Sequence, residues 1–167
     1  MNSSSASSEI KRKKFIKPFR LYFLLLLILS LNLNNIFSQP VWVPGTPSVV
    51  GTGPLSITIN YGINMTGKVY IAIWNYNTVE LLPSYIRSQA QIINPSPPLV
   101  ANAVITISSV DVDKVLQITL DVKDANRLHS VWLVAESSGG TLQATATRLY
   151  ATTTSCPSIY VGTAFNN

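Results

Sequence analysis

From Val41 onward, apolar residues recur at every second position in short runs, and turn-forming residues separate the runs. In "LSITINY", Leu55, Ile57, Ile59 and Tyr61 fall on one side, with Ser56, Thr58 and Asn60 on the other. "VYIAIWNY" sets Val69, Ile71 and Ile73 against Tyr70, Ala72, Trp74 and Tyr76. The same alternation runs through "ANAVITI" from Ala101, "LQITLDV" from Leu116 and "HSVWLVA" from His129. A period of two is the repeat of a strand, whose successive side chains point to opposite faces. "TLQATATRLYA" (Thr141 to Ala151) is threonine-rich and β-prone, and "TPSVVGTG" supplies a short first strand interrupted by its proline and glycines. The separators "YGINMTG", "DANR" and "SSGG" have turn composition.

One stretch breaks the alternation. "LPSYIRSQA" opens with Pro83 and Ser84, residues suited to a helix entry, and places Leu82, Ile86 and Ala90 at i, i+4 and i+8. It predicts a short helix, followed by "NPSPP", whose prolines favour an extended crossover. About seven short strands with one helical insertion predict an all-β fold, an antiparallel sandwich rather than a parallel sheet.

The first forty residues follow other rules. "KRKKFIKPFR" (Lys11 to Arg20) is basic, "LYFLLLLILSL" (Leu21 to Leu31) is apolar, and the small Ser38 suits the residue before a cut. Basic, apolar, small is the order of a secretory signal peptide, expected here over residues 1–38. A membrane-spanning helix needs about 20 apolar residues, more than this run supplies. The expected location is therefore outside the cell or on its surface, with a membrane met only during export.

Charge changes meaning once that segment is set aside. The whole chain carries +5, and residues 1–38 hold six basic residues against the single Glu9, which accounts for all of it. The remainder holds six basic and six acidic residues. Phosphate binding needs clustered Lys and Arg, and no such cluster exists in the mature part, so nucleic acid is not an expected partner.

Candidate chemistry is sparse. The chain has one histidine, His129, and one cysteine, Cys156, so no disulfide framework forms within it. Cys156 lies after the last strand, and no third group orients a thiol–imidazole pair with His129. Zinc needs three or four ligands at spacings this chain lacks. Asp111 and Asp113 form the only close acidic pair, where calcium wants six or more oxygens. Glu80, Asp121, Asp124 and Glu136 are scattered, with no sign of the converging carboxylates of a glycosidase. No nucleophile elbow or phosphate loop occurs. The expectation is a protein that is not an enzyme and takes no metal or cofactor.

The stretch "SVWLVAESSGGTLQATATRLYATT" resembles the last two strands of fibronectin type III-like (Ig-like) domains in large exported proteins of Bacteroidota-type bacteria. "GTPSVVGTGPLSITINYGINMTGKVYIAIWNYN" looks like the opening strands of such modules, which often follow a signal ending in "SQ". The resemblance covers residues 41–154 and implies a structural, adhesion or spacer module of a secreted or cell-surface multidomain protein. A second implied role is an accessory carbohydrate-binding module beside a catalytic domain. Residues 155–167, with "CPSIYVGTAFNN", then look like a linker or the start of a truncated further module.

The resemblance also implies roles for particular residues. A tyrosine commonly opens the penultimate strand of these sandwiches and bonds to upstream backbone. Counting back by twos from Ala135 lands on His129, which is expected to fill that structural corner, donating to a carbonyl of the "DANR" turn. The third and penultimate strands are neighbours in such folds, so Tyr70, Trp74 and Trp132 are expected to share the outer face of one sheet. Three outcomes stay open for them: cover by the helical insertion, contact with a neighbouring module or another protein, or stacking on surface glycans.

Overall fold

In a computed structural model of the chain, residues 38–157 are described. Residues 1–37, nearly all of the expected signal peptide (1–38), lie outside the described residues, as do residues 158–167 of the stretch 155–167 expected to be a linker or the start of a further module. Among the described residues, seven strands and one helix form: β1 (Ser48–Thr52), β2 (Ser56–Tyr61), β3 (Gly67–Trp74), α1 (Pro83–Ala90), β4 (Leu99–Ile107), β5 (Leu116–Asp121), β6 (Leu128–Ser137) and β7 (Thr147–Thr152). They make two antiparallel sheets, one of order β1-β2-β5 and one of order β4-β3-β6-β7.

The alternation read from the sequence fixes which side chains fill the space between the sheets. Ile57 and Ile59 of β2 stand opposite Leu120 and Ile118 of β5, and Ile71 of β3 stands between Ala103 of β4 and Leu133 of β6. Ile57, Ile59, Ile71 and Leu133 form one buried cluster with Val69, Ile73, Ile107 and Val131, against which the partly buried Ala103, Ile118 and Leu120 pack. Burial of each such side chain contributes about 1.5–3 kcal/mol, which makes this layer the main source of stability. Gly67 opens β3 because nothing larger fits there: a Cβ on it would sit 2.0 Å from the Glu136 carbonyl oxygen.

Three details depart from the sequence reading. Strand β6 is buried at every residue from His129 to Ala135, on both faces rather than one. Strand β7 begins at Thr147 instead of Thr141. The reason is Gln143, whose backbone pairs with the Ala135 carbonyl while its side-chain Oε1 accepts the Ala135 N–H at 2.9 Å. A side chain thus stands in for the ladder carbonyl, and Gln143 Nε2 turns away to the carbonyl of Pro40 at 3.1 Å. In the helix, Ile86 and Ala90 are buried as the spacing predicts, but Leu82 is not. It sits at the N-cap in an extended conformation ahead of Pro83, 72% exposed, and Leu81 packs inward in its place.

The strand directions separate the two chain ends. The segment 39–47, the 62–66 and 108–115 loops and the 138–146 loop gather at one end of the sandwich. There Trp42 bridges to Ile63, donates Nε1 to Thr147 Oγ1 at 3.0 Å, and Val43 N–H bonds to the Gly62 carbonyl. The 53–55 turn, the 122–127 loop and the exit from β7 gather at the other end. There Thr154 N–H bonds to the Gly53 carbonyl, and its own carbonyl accepts from Asn126.

Candidate functional site

The outer face of the four-stranded sheet carries Tyr70, Ala72 and Trp74 from β3 beside Trp132 and Val134 from β6, as the alternation predicts. The face is closed. Residues 75–98, which join β3 to β4, fold back across it, and Tyr70, Trp74 and Trp132 are only 2%, 3% and 3% exposed. Ile86, Ala90 and Leu81 from this insertion, with Leu142 and Ala146 from the β6–β7 loop, complete a second apolar cluster on top of the aromatics. The trio is therefore no open binding surface. Of the three outcomes left by the sequence, cover by the insertion is the one observed.

Polar contacts hold the cover in register. Thr78 is the hub: its Oγ1 accepts from Trp132 Nε1 at 2.5 Å, its N–H donates to Ser130 Oγ at 3.1 Å, and its carbonyl accepts from Arg148 Nη1 at 2.7 Å. The Arg148 guanidinium lies over the rings of Trp132 and Tyr150, 5.4 and 5.0 Å from their centroids, a cation–π arrangement. Tyr85 of α1 stacks on Trp74 with ring centroids 6.4 Å apart. Asn102 of β4 donates Nδ2 to the carbonyls of Gln89 and Ile92, satisfying the last turn of the helix.

At the far edge of this cover is a carboxylate the sequence did not mark as special. Glu136 Oε2 accepts from the Tyr70 hydroxyl at 2.5 Å, and Oε1 meets Arg87 Nη1 of α1 at 3.2 Å. Burial pushes the Tyr70 phenol up to about 12, helped by its bond to Glu136. Beside this pair, a groove of about 440 Å³ opens at the end of the sheet, lined among others by Thr66, Lys68, Thr106, Ser108, Glu136 and Ser138. Lys68 stands directly opposite Glu136 in the β3–β6 register. The groove offers hydroxyl and ammonium donors, while both oxygens of its carboxylate are engaged by the protein itself. No histidine or cysteine lines it.

His129 is fully buried at the start of β6, with Nε2 3.4 Å from the carbonyl oxygen of Asp124, the first residue of the "DANR" turn. That carbonyl also accepts from Thr153 Oγ1 at 2.8 Å. Nδ1 of the ring has no hydrogen-bond partner among the described residues. Burial holds the imidazole below its ordinary pKa, partly offset by the Asp124 carbonyl. Cys156 is free and exposed. Asp111, whose neighbour Ser108 bonds to it through backbone and side chain, is held below the usual carboxylate range by those bonds. Among the described residues no group of three or more His, Cys, Asp or Glu is placed to hold a metal ion.

No family model matches the chain, and no curated protein or solved structure matches it.

Proposed function

We propose that the chain is an exported, non-catalytic module of the fibronectin type III-like kind, acting as a spacer or adhesion unit in a longer secreted or cell-surface bacterial protein. The observation that carries this reading is the placement of the two chain ends. The polypeptide enters the sandwich at one end and leaves at the other, and short hydrogen bonds to neighbouring loops tie down both points. A unit built this way adds its length to a chain of modules. The three-plus-four division of strands, with the third beside the penultimate, supports the fibronectin-type arrangement. The side chains best suited to chemistry serve architecture: the histidine is enclosed, and the groove's carboxylate is bonded to a tyrosine and an arginine. The accessory carbohydrate-binding reading loses the aromatic face it rested on, because the insertion occupies that face.

Expression of the full chain in a bacterium, followed by fractionation and mass measurement, tests the proposal. The expected product lies outside the cytoplasm and begins at Gln39, and a charged substitution such as Leu26→Arg in the apolar run keeps it inside. A full-length product that stays in the cytoplasm in both cases would overturn the export half of the reading. Turnover of any substrate that is abolished by Glu136→Gln would overturn the non-catalytic half.

A further inference from the structure

Strand β4 is the last strand of its sheet, and among the described residues only its β3 side is paired. A free strand edge presents a row of unpaired N–H and C=O groups that templates another strand, and proteins commonly guard it with charge, proline, a bulge or shortness. Here the guards stand only at the beginning. Pro97 and Pro98 precede the strand, and its register slips once, opposite Ile73 and Trp74. From Ala101 to Ile107 the pairing with β3 is regular, and "ANAVITI" contains neither a charge nor a proline. The other three edge strands are guarded: β1 is irregular at Gly51, β5 carries Asp121 and β7 carries Arg148. On β4, Val104 is 42% exposed on the outer face, and the inward Ala103 and Ile105 are only half-buried.

We propose that β4 is a self-association edge, at which two copies of this chain pair antiparallel about a two-fold axis through Val104. The two four-stranded sheets then become one sheet of eight strands. The occupant is a second copy because the strand is complementary to itself in this register. Val104 meets Val104 of the second copy, covering the most exposed apolar side chain on the strand. On the inner face Ala103 meets Ile105 and Ala101 meets Ile107, small against large, which suits close packing. On the outer face Asn102 meets Thr106. The Asn102 Nδ2 is already spent on the helix, which leaves Oδ1 to accept from the threonine hydroxyl of the second copy. No like charges oppose one another, since the strand has none, and residues 39–167 balance six basic against six acidic, so no net repulsion separates the copies.

Sedimentation equilibrium of the full chain over a wide concentration range tests this. A reversible monomer–dimer equilibrium is expected. Val104→Lys, which sets two ammonium groups face to face at an exposed site, is expected to weaken dimerisation about tenfold or more while leaving unchanged the melting temperature measured at concentrations where both chains are monomeric. Cysteine pairing reads the register independently. In a Cys156→Ser background, Val104→Cys is expected to form an interchain disulfide under mild oxidation, since directly opposed residues have Cα atoms about 4.5–5.5 Å apart. Thr106→Cys in the same background is expected to stay reduced, because each position 106 faces position 102 of the other copy. A chain monomeric at every concentration, a dimer indifferent to Val104→Lys, or cross-linking at 106 as ready as at 104 would each overturn the proposal.

Discussion

At the scale of single residues, the interior histidine carries the clearest consequence. Enclosed at the start of β6, the His129 ring is neutral in the folded chain because burial lowers its pKa. The unfolded chain takes up a proton near the ordinary value of about 6.5. Protonation therefore favours unfolding: stability is fully present above about pH 6.5, declines as the pH falls toward the folded-state pKa, and changes no further on this account below it. Urea midpoints at about pH 7.5 and about pH 5 are expected to differ for the natural chain. For His129→Phe the difference over this window is expected to vanish, with a loss at the higher pH of no more than about 1 kcal/mol. The Asp124 carbonyl keeps its bond from Thr153, so the substitution leaves no acceptor stranded. An unchanged acid sensitivity in the variant would mean that another group is responsible. Tyr70 is the mirror case. Its folded pKa of about 12 lies above the unfolded value of 10.0, so its contribution is complete below pH 10.0 and is lost as the pH rises from there to about 12. Tyr70→Phe is expected to cost about 1–2 kcal/mol at neutral pH, by removing the hydroxyl that bonds Glu136, and to flatten that alkaline decline.

Among the elements, the insertion that lies over the aromatic face separates two kinds of glue. The Arg87–Glu136 pair is visible as an ion pair, yet the arginine side chain is 42% exposed and such pairs contribute about 0–1 kcal/mol. Ile86 on the same helix has no exposed surface and packs among Tyr70, Trp74 and Trp132. Ile86→Ala is thus expected to lower stability by about 2–5 kcal/mol, and Arg87→Ala by less than about 1 kcal/mol, in thermal or urea melts. Equal losses would show that the charge, not the apolar contact, holds the helix down. These elements also mark what the sequence could disclose. Alternation identified the five middle strands and the parity of Tyr70, Trp74 and Trp132, because a strand has only two faces, whereas the first and last strands were legible only from composition. Parity names a face without saying what covers it, so the fate of the trio depended on a helix whose docking is a long-range event. Leu82 misled because the 3.6-residue spacing holds only inside a helix, and this residue is extended. The late start of β7 was hidden because a glutamine side chain replaced a ladder carbonyl, a substitution that composition does not register. The groove beside Glu136 was invisible for a related reason. Thr66, Ser108 and Ser138 meet through turns at one end of the sandwich, far apart along the chain.

Over the whole molecule, the division of charge between segments matters more than the total. With the basic residues of the first 38 positions removed, the remaining chain is balanced, and a balanced surface resists association less than a charged one. An unguarded β4 edge is then more consequential than it would be on a strongly charged protein. The positions of the two ends have a mechanical consequence as well. β1 and β7 run in the same sense, from the end where the chain enters to the end where it leaves. Tension applied through Gln39 and Cys156 would therefore run along these strands. Their ladder hydrogen bonds lie across that direction, so the load would fall on many of them at once, in shear. Pulling instead between Gln39 and Ser138, which share one end, would open the ladders a rung at a time. Single-molecule stretching is expected to need a clearly larger rupture force in the first geometry, the behaviour of a tether that resists stretching along its length.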